Sequence, residues 1–534
     1  MSPVRGMVTA VTDSSAALRD LAALIERRLD AFRLPEVLSV RPGFELVDGW
    51  VTATPAIIVT VDAEAPHGLP SEVGGHPVDV RVASARKRAA LLDPAAYTAA
   101  GATAPDLGKV PEFEGEIVVG DRLGQASPAP SPDLRAEAAT RQQLPYTPPA
   151  GVPLAPVSGE LTVDLAASPD AGWSQLGTFL AATEHELVIG LYDFTSAHVL
   201  AAFEKAAAGK KVTMTLDHPS RNPTADQTDE QTVAALEKAL GDELRQAWAL
   251  SGMDPMATAT VFQTAYHIKV AARDSAAVWV SSGNWNNSNQ PDIDPVNVKA
   301  DADAARAGDR DWHVVVRSPE LTTTLAAYLE NDYEVAAQHN QSAAAFRQPQ
   351  LLRPAARTPP FARFFAAQTI TDQMTITPVL TPDAGSYVDA VKRLIASATA
   401  TLCLQFQYIE LPKTTDATNR AFVDLVQAVI DRQRAGVGVR IIMSEYETVG
   451  YLEQLQTLGL DVAGSVKLQN NVHNKGIVVD GRAVLVSSQN WSSAGALRNR
   501  DAGVIIESER VAAYFGQLFE HDWEHLATRQ VAED

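Results

Sequence analysis

Two stretches of this chain carry the same reactive residue types at the same spacing. YHIKVAARDSAAVWVSSGNW supplies His267, Lys269, Asp274, Asn284 and Trp285. VHNKGIVVDGRAVLVSSQNW supplies His473, Lys475, Asp480, Asn490 and Trp491, each 206 residues beyond its counterpart (267 to 473). A second echo follows. Arg310–Asp311 precedes WHVVV and Arg500–Asp501 precedes AGVII, an offset of 190 (311 to 501). The first copy therefore holds 16 extra residues (206 less 190) between its Asn and its Arg-Asp pair. That insertion includes NNSNQPDIDPVN, which reads as a loop at the edge of a site.

These residue types suit phosphoryl chemistry. A His and a Lys two apart on a strand share a face, so imidazole and ammonium reach one spot. The Asp ends the strand at Asp-Ser or Asp-Gly, which fits a hairpin turn. The return strand brings Ser-x-Asn opposite. One copy gives half a site. Two copies would surround a tetrahedral anion with two histidines, two lysines and two asparagines. Lys and Asn would hold the non-bridging oxygens. One neutral His would attack phosphorus while the other, protonated, donates to the leaving alcohol. No metal or other cofactor is expected, because cations and amides already supply the charge stabilisation.

The chain must position these residues with alternating strands and helices. From about residue 160 the order runs LVIGLYDF, SAHVLAAFEKAAA, KVTMTL, EQTVAALEKAL, and again TLCLQFQYI, AFVDLVQAVIDRQ, VRIIMSEY, GYLEQLQTL. Such βα alternation predicts mostly parallel sheets covered by helices, and two copies predict an internal duplication. Residues 1–100 read as a small α+β domain of unknown role, with a helix over 16–32 and strands at VLSV, WVTATPAIIVTVDA and HPVDVRVA. Residues 101–160 hold ten of the 32 prolines and read as a stiff linker, interrupted by GEIVV.

Composition bounds the function. The 534 residues include 44 Lys+Arg and 65 Asp+Glu, a formal net charge of −21. This balance disfavours unspecific grip on nucleic acid, which needs clustered cations. The single cysteine, Cys403, excludes a disulfide framework and cysteine-ligated metal. No apolar run spans a bilayer and no secretory h-region is seen, so a cytoplasmic location is expected.

The paired motifs resemble the duplicated HxKx4D signature of the phospholipase D superfamily, with its Ser-x-Asn stretch, over roughly residues 160–530. The resemblance implies an α/β fold of two tandem pseudo-symmetric α/β/α domains, 161–370 and 371–534, with the active site at their interface. It implies metal-independent phosphodiesterase chemistry through a phosphohistidine, with His267 as nucleophile and His473 as general acid. Lys269, Lys475, Asn284 and Asn490 match phosphate-binding positions, and Ser282 and Ser488 match a serine that adds a donor. Asp311 and Asp501 match the carboxylate that orients each His. Asp274 and Asp480 read as structural turn residues. Ser281 and Ser487 stand where the family usually has Gly.

A phospholipid is the preferred substrate, with release of its head group and transient contact with a membrane surface. A nucleic acid is the alternative, for which Lys299, Arg306, Arg310, Arg498 and Arg500 would form a local basic patch. The N-terminal domain suggests attachment to a protein partner. Trp285 and Trp491 read as packing. Tyr192, Asp193, Gln407 and Tyr408 end the first strand of each copy, where open sheets bind ligands. His521 and His525 have metal-pair spacing but lie on what reads as a surface helix. His185 and His218 read as structural or solvent-facing, and Cys403 as core.

Overall fold

The helix expected over 16–32 forms as Ser14–Arg28, extended by a 3-10 turn at Leu29–Phe32. In this computed structural model the described residues are 14–62, 66–84, 87–88, 91, 116–119, 142–218, 225–252, 254, 259–339, 358–412, 415–445 and 449–529. Most of the Pro-rich stretch, 101–115 and 120–141, lies outside them. Contacts divide the chain into two units. One comprises 1–130 with 447–466 and 529–534; the other comprises 131–446 with 467–528.

The first unit is a five-stranded sheet covered by that helix. Its order is Glu72–Val73, His76–Val82, Trp50–Val61, Val37–Val47, Ile117–Val118. Val37–Val47 and Trp50–Val61 form a hairpin whose turn, Asp48–Gly49, has positive φ at both residues (52° and 75°). That backbone matches strand twist, and Gly adopts it without a Cβ penalty. Leu21, Ile25 and Phe32 bury against Val40, Ile57 and Val59.

A segment from far along the chain completes this unit. GYLEQLQTL forms the helix Val449–Leu458, which belongs here and not to the repeat's layers. Its Leu452 and Leu455 are fully buried. Glu453, 1% exposed, pairs with Arg41 at 2.7 Å and Arg81 at 3.1 Å, and accepts the Phe44 N–H at 3.1 Å.

The second unit is mixed α/β, built on one fourteen-stranded sheet. Its order begins Leu244–Trp248, Lys211–Leu216, Glu186–Leu191, Lys269–Arg273, Ala277–Ser281, Asp311–Arg317, Val157–Ser168. It continues Gln368–Thr381, Asp501–Glu507, Ala483–Ser487, Lys475–Val479, Thr401–Phe406, Gly438–Met443, Val466–Leu468. The long strands 157–168 and 368–381 pair antiparallel at the middle. We call the residues on either side, 157–337 and 368–525, the two halves.

The sheet is not mostly parallel as expected. Parallel pairing joins 186–191, 211–216 and 244–248 in one half and 401–406 with 438–443 in the other. The motif strands pair antiparallel with both neighbours. The cause is local. Each motif strand turns back through three residues, 274–276 or 480–482, and a hairpin needs no helical crossover.

Two helices, Pro319–Ala337 and Glu509–His525, bury their apolar faces in one core shared by both halves, among Val270, Val280, Val478, Val486, Leu325 and Phe515. The latter helix is therefore not an ordinary surface element. Lys269 and Ala271 lie on the other face, where Ala271 packs with Trp279 and Trp285.

Replacing Glu453 by Ala strands Arg41 and Arg81 without their shared carboxylate. Loss of one partner from a buried pair costs about 3–5 kcal/mol. Calorimetry should show a lowered unfolding transition for Glu453→Ala, whereas an unchanged thermogram would mean that this helix is not integral to the first unit.

Candidate active site

Each motif strand begins at its lysine, so the histidine sits just before the first strand residue. The hairpin that follows is anchored by the motif aspartate. Asp274, at φ 54°, accepts the N–H groups of Glu184, His185 and Glu186 at 2.8, 2.7 and 3.0 Å. Asp480, at φ 50°, accepts those of Thr399, Ala400 and Thr401 at 2.8, 2.8 and 2.7 Å. Burial opposes their ionisation, but three N–H donors hold each carboxyl below its ordinary range. Both residues fix the motif strand against the strand before it.

The histidines are oriented across the two halves. His267 Nδ1 donates to Asp501 Oδ1 at 2.9 Å, and His473 Nδ1 donates to Asp311 Oδ1 at 3.0 Å. Each carboxylate thus comes from the opposite half. A proton held on Nδ1 leaves the Nε2 lone pair of a neutral imidazole for chemistry. The histidine side chains are 5% and 13% exposed, so a substrate oxygen could reach them while bulk water is largely excluded.

Ser282 and Ser488 do not stand as spare donors for a phosphate. Ser282 Oγ donates to Asp311 Oδ1 at 2.7 Å and accepts the Trp312 N–H at 3.0 Å. Ser488 Oγ donates to Asp501 Oδ1 at 2.6 Å and accepts the Ala502 N–H at 3.0 Å. Both hydroxyls are committed to the carboxylates because these approach from the adjacent strand. Ser281, by contrast, binds His313 Nδ1 at 2.7 Å and accepts the Gly283 N–H, while Ser487 donates to the Lys475 carbonyl at 2.9 Å. Gly283 must stay small, since a Cβ there would come within 2.7 Å of Asp311 Oδ2.

Lys269 is fully buried and donates to the His267 carbonyl at 2.5 Å; Lys475 makes the same bond to the His473 carbonyl. Burial drives Lys269 well below the ordinary lysine range, and the nearby Lys475 charge pushes the same way against Asp501. Two buried ammonium groups that repel each other favour a doubly coordinated anion between them. Asn284 and Asn490 are buried with an amide oxygen that has no partner among the described residues. The Asn284 N–H is held at 2.9 Å by Asn289, in the inserted loop.

The two carboxylates differ electrostatically. Burial works against Asp311, yet His473 and Lys475 outweigh it and hold the group down at about 2. Burial dominates at Asp501, which is pushed up to about 7 in spite of Lys269. Burial and the Lys475 charge push His473 down to about 4. In the resting site at neutral pH, His473 is therefore neutral beside an ionised Asp311.

The Tyr192 ring lies 4.7 Å from the His267 ring and 5.0 Å from Lys269 Nζ, so Tyr192 lines the site. Asp193 accepts the Asn286 amide at 2.8 Å. Gln407 gives its carbonyl to Ser444, and Tyr408 is buried. Trp285 and Trp491 are buried packing residues, Trp491 stacked on Phe406 at 4.4 Å. His185 is exposed, whereas His218 is buried between Glu230 and Asp254. His521 is buried, and no metal-binding group of His, Cys, Asp or Glu occurs among the described residues. Cys403 is buried. The expected basic patch fails at its centre: Arg310 and Arg500 are 1% and 0% exposed and ion-paired. Among the described residues, no helix is long and apolar enough to cross a membrane.

A family model described as "Cardiolipin synthase, PLD-like domain" matches residues 391–523, which take in the second motif. A curated protein named Phospholipase D from Rickettsia felis is 32% identical over 96 residues, 17% of this chain and 48% of that protein. Its namesake from Rickettsia conorii is 31% identical over the same length and shares. Residues 391–523 match a phospholipase D-like domain. The chain spans about half the length of these curated relatives. Among solved structures, the chain is similar to a phosphatidylserine synthase of Haemophilus influenzae (TM-score 0.49, 12% identity, 70% of this chain and 90% of that one). It is also similar to Nuc, a phospholipase D family member of Salmonella typhimurium (TM-score 0.25, 20% identity, 30% of this chain and 100% of that one).

The raised Asp501 carboxyl has a consequence for stability. Its folded value of about 7 lies above the ordinary value of about 3.9. The folded state then binds more protons than the unfolded chain between those values, and loses stability as pH rises from about 4 to 7. Asp501→Asn removes this titration. Its melting temperature relative to the unaltered protein should increase from pH 4 to pH 8, and a constant difference would count against the shift.

Proposed function

We propose that this chain is a metal-independent phosphodiesterase whose paired motifs, lying in tandem duplicated domains over about 161–370 and 371–534, act on a phospholipid. The reaction releases the head-group alcohol and leaves phosphatidate. The observation that carries this reading is the pair of imidazoles, each held by a carboxylate from the opposite half with a buried lysine two residues away. The lipid preference draws on the curated relatives' name and on the ion-paired state of Arg310 and Arg500. Those two guanidinium groups do not supply a nucleic-acid channel.

The steps balance as follows. His267 Nε2 attacks phosphorus, forming a P–N bond as the P–O bond to the head group breaks. Lys269, Lys475, Asn284 and Asn490 hold the non-bridging oxygens. His473 gives its proton to the departing alkoxide. Water then attacks phosphorus and passes a proton to His473, the P–N bond breaks, and neutral His267 returns. An alcohol in place of water gives a new phosphodiester.

His473 is suited to the acid's part because Asp311 remains ionised and stabilises an imidazolium there. Since His473 is neutral in the resting site, its proton enters with the substrate anion. Binding of vanadate near pH 7, followed by calorimetry in buffers of different ionisation enthalpy, should show net proton uptake. Net proton release would count against a neutral resting His473 as the group that takes up the proton.

The decisive test uses mixed phospholipids with excess ethanol. Phosphatidylethanol should form, should vanish in His267→Ala and His473→Ala, and should survive EDTA. Each substitution should cost at least about a thousandfold, because nucleophile and acid act as a unit. No product from lipid, with salt-sensitive cleavage of single-stranded DNA or RNA instead, would replace the lipid reading by a nuclease.

A further inference from the structure

Arg310 and Arg500 stand one residue before the two carboxylates that orient the histidines, and neither has been given a part in the chemistry. Both are buried and both reach across the halves. Arg310 Nε and Nη2 bind Asp522 Oδ2 and Oδ1 at 2.8 and 3.0 Å, on helix Glu509–His525. Arg500 Nε and Nη2 bind Asp332 Oδ2 and Oδ1 at 2.7 and 3.0 Å, on helix Pro319–Ala337. The two helix aspartates are 190 residues apart, the same offset as the two arginines.

The third guanidinium nitrogen is fixed by residues of each arginine's own half and, for Arg500, also by Tyr146, which precedes both halves. Arg310 Nη1 donates to the Ser168 carbonyl at 2.9 Å and Asp170 Oδ1 at 2.8 Å. Arg500 Nη1 donates to the Thr381 carbonyl at 3.3 Å, Asp383 Oδ2 at 2.9 Å and Tyr146 Oη at 3.1 Å. Each arginine is thus held from both sides in a planar fork that a lysine could not reproduce.

The main chain of each arginine reaches the opposite motif. The Arg310 N–H donates to the Asn471 carbonyl at 2.7 Å, and the His473 N–H donates to the Arg310 carbonyl at 3.1 Å. The Arg500 N–H donates to the Ala265 carbonyl at 2.9 Å, and Arg500 bridges Tyr266. The residue after each arginine is the aspartate, and the residue it brackets precedes or is the histidine.

We infer that Arg310 with Asp522, and Arg500 with Asp332, are positioning pairs, each setting the imidazole–carboxylate geometry of one histidine: His473 for the first pair and His267 for the second. This deepens the phosphodiesterase reading and rests on it for its catalytic meaning. The geometric claim stands without it. A tilt of the guanidinium moves the following carboxylate, and with it the ring bonded to that carboxylate. Displacements of about 1 Å at such groups cost on the order of a hundredfold in rate.

The inference predicts a reciprocal pattern. Asp332→Asn and Asp522→Asn are made in the full chain with 15N-labelled histidine, and ring nitrogens are followed by NMR across pH. Asp332→Asn should shift the titration and Nδ1 resonance of His267 and leave His473 unchanged. Asp522→Asn should do the opposite. A variant that disturbs both rings equally, or neither, overturns the inference. If a variant does not fold, Arg500→Lys or Arg310→Lys, which keeps the charge and loses the fork, gives the same one-ring reading. Turnover of bis(4-nitrophenyl) phosphate should fall 10- to 100-fold in kcat with KM within threefold. If the unaltered protein cleaves no phosphodiester at all, the functional reading fails while the ring measurement still decides the positioning claim.

Discussion

The structure of the site depends on two hydrogen bonds that cross from one half to the other. Asp501 holds His267 and Asp311 holds His473. Neither half holds its own imidazole in this way. The fourteen-stranded sheet makes the crossing possible, because its two central strands pair antiparallel and bring the starts of the strands at 311 and 501 beside the opposite motif. The shared core beneath, with Phe515 packed on Trp312 at 4.8 Å, keeps that alignment. Gly476 has room for no side chain there, since a Cβ would lie 2.3 Å from Trp312.

Burial of charge is the second organising constraint. Lys269, Arg310, Arg500, Asp311 and Asp501 are all removed from water, and such charges persist only where partners repay desolvation. The arginines are repaid fully by bidentate carboxylates. The lysines and Asp501 are repaid in part, and Lys269 falls while Asp501 rises. The two orienting carboxylates are therefore shifted in opposite directions, Asp311 held down and Asp501 pushed up.

Much of this was legible in the residues. Equal offsets of 206 and 190 exposed the paired His, Lys, Asn and Asp before any geometry was available. Periodicity found the first helix and the strand at 50–61, while VLSV marked only the first four residues of the strand Val37–Val47, whose Pro42 and Gly43 hide the rest. Sheet direction is not legible in βα alternation, which carries no trace of the returns at Asp274 and Asp480; Asp-Ser and Asp-Gly mark those turns but not their weight in the sheet. Ser282 and Ser488 looked like phosphate donors because their type allows it; only the approach of the neighbouring strand commits their hydroxyls to carboxylates. Arg310 and Arg500 looked like surface cations for the same reason. Asp332 and Asp522 share the 190-residue offset, and that coincidence was a signal available in the sequence. The place of Glu453 had none, because its partners lie some 400 residues away.

That distance bears on how the protein is made. The Phe44 N–H finds its acceptor on Glu453, 409 positions later in the chain. A ribosome will have exposed the whole hairpin at 37–61 long before the helix at 449–458 leaves it. Until then Arg41 lacks its Glu453 partner and Arg81 has Asp79 alone, and the cover for Ile58 and its neighbours is incomplete. Domains usually close in the order of their synthesis. Here a unit whose hairpin is made early is sealed only by a helix synthesised 409 positions after Phe44.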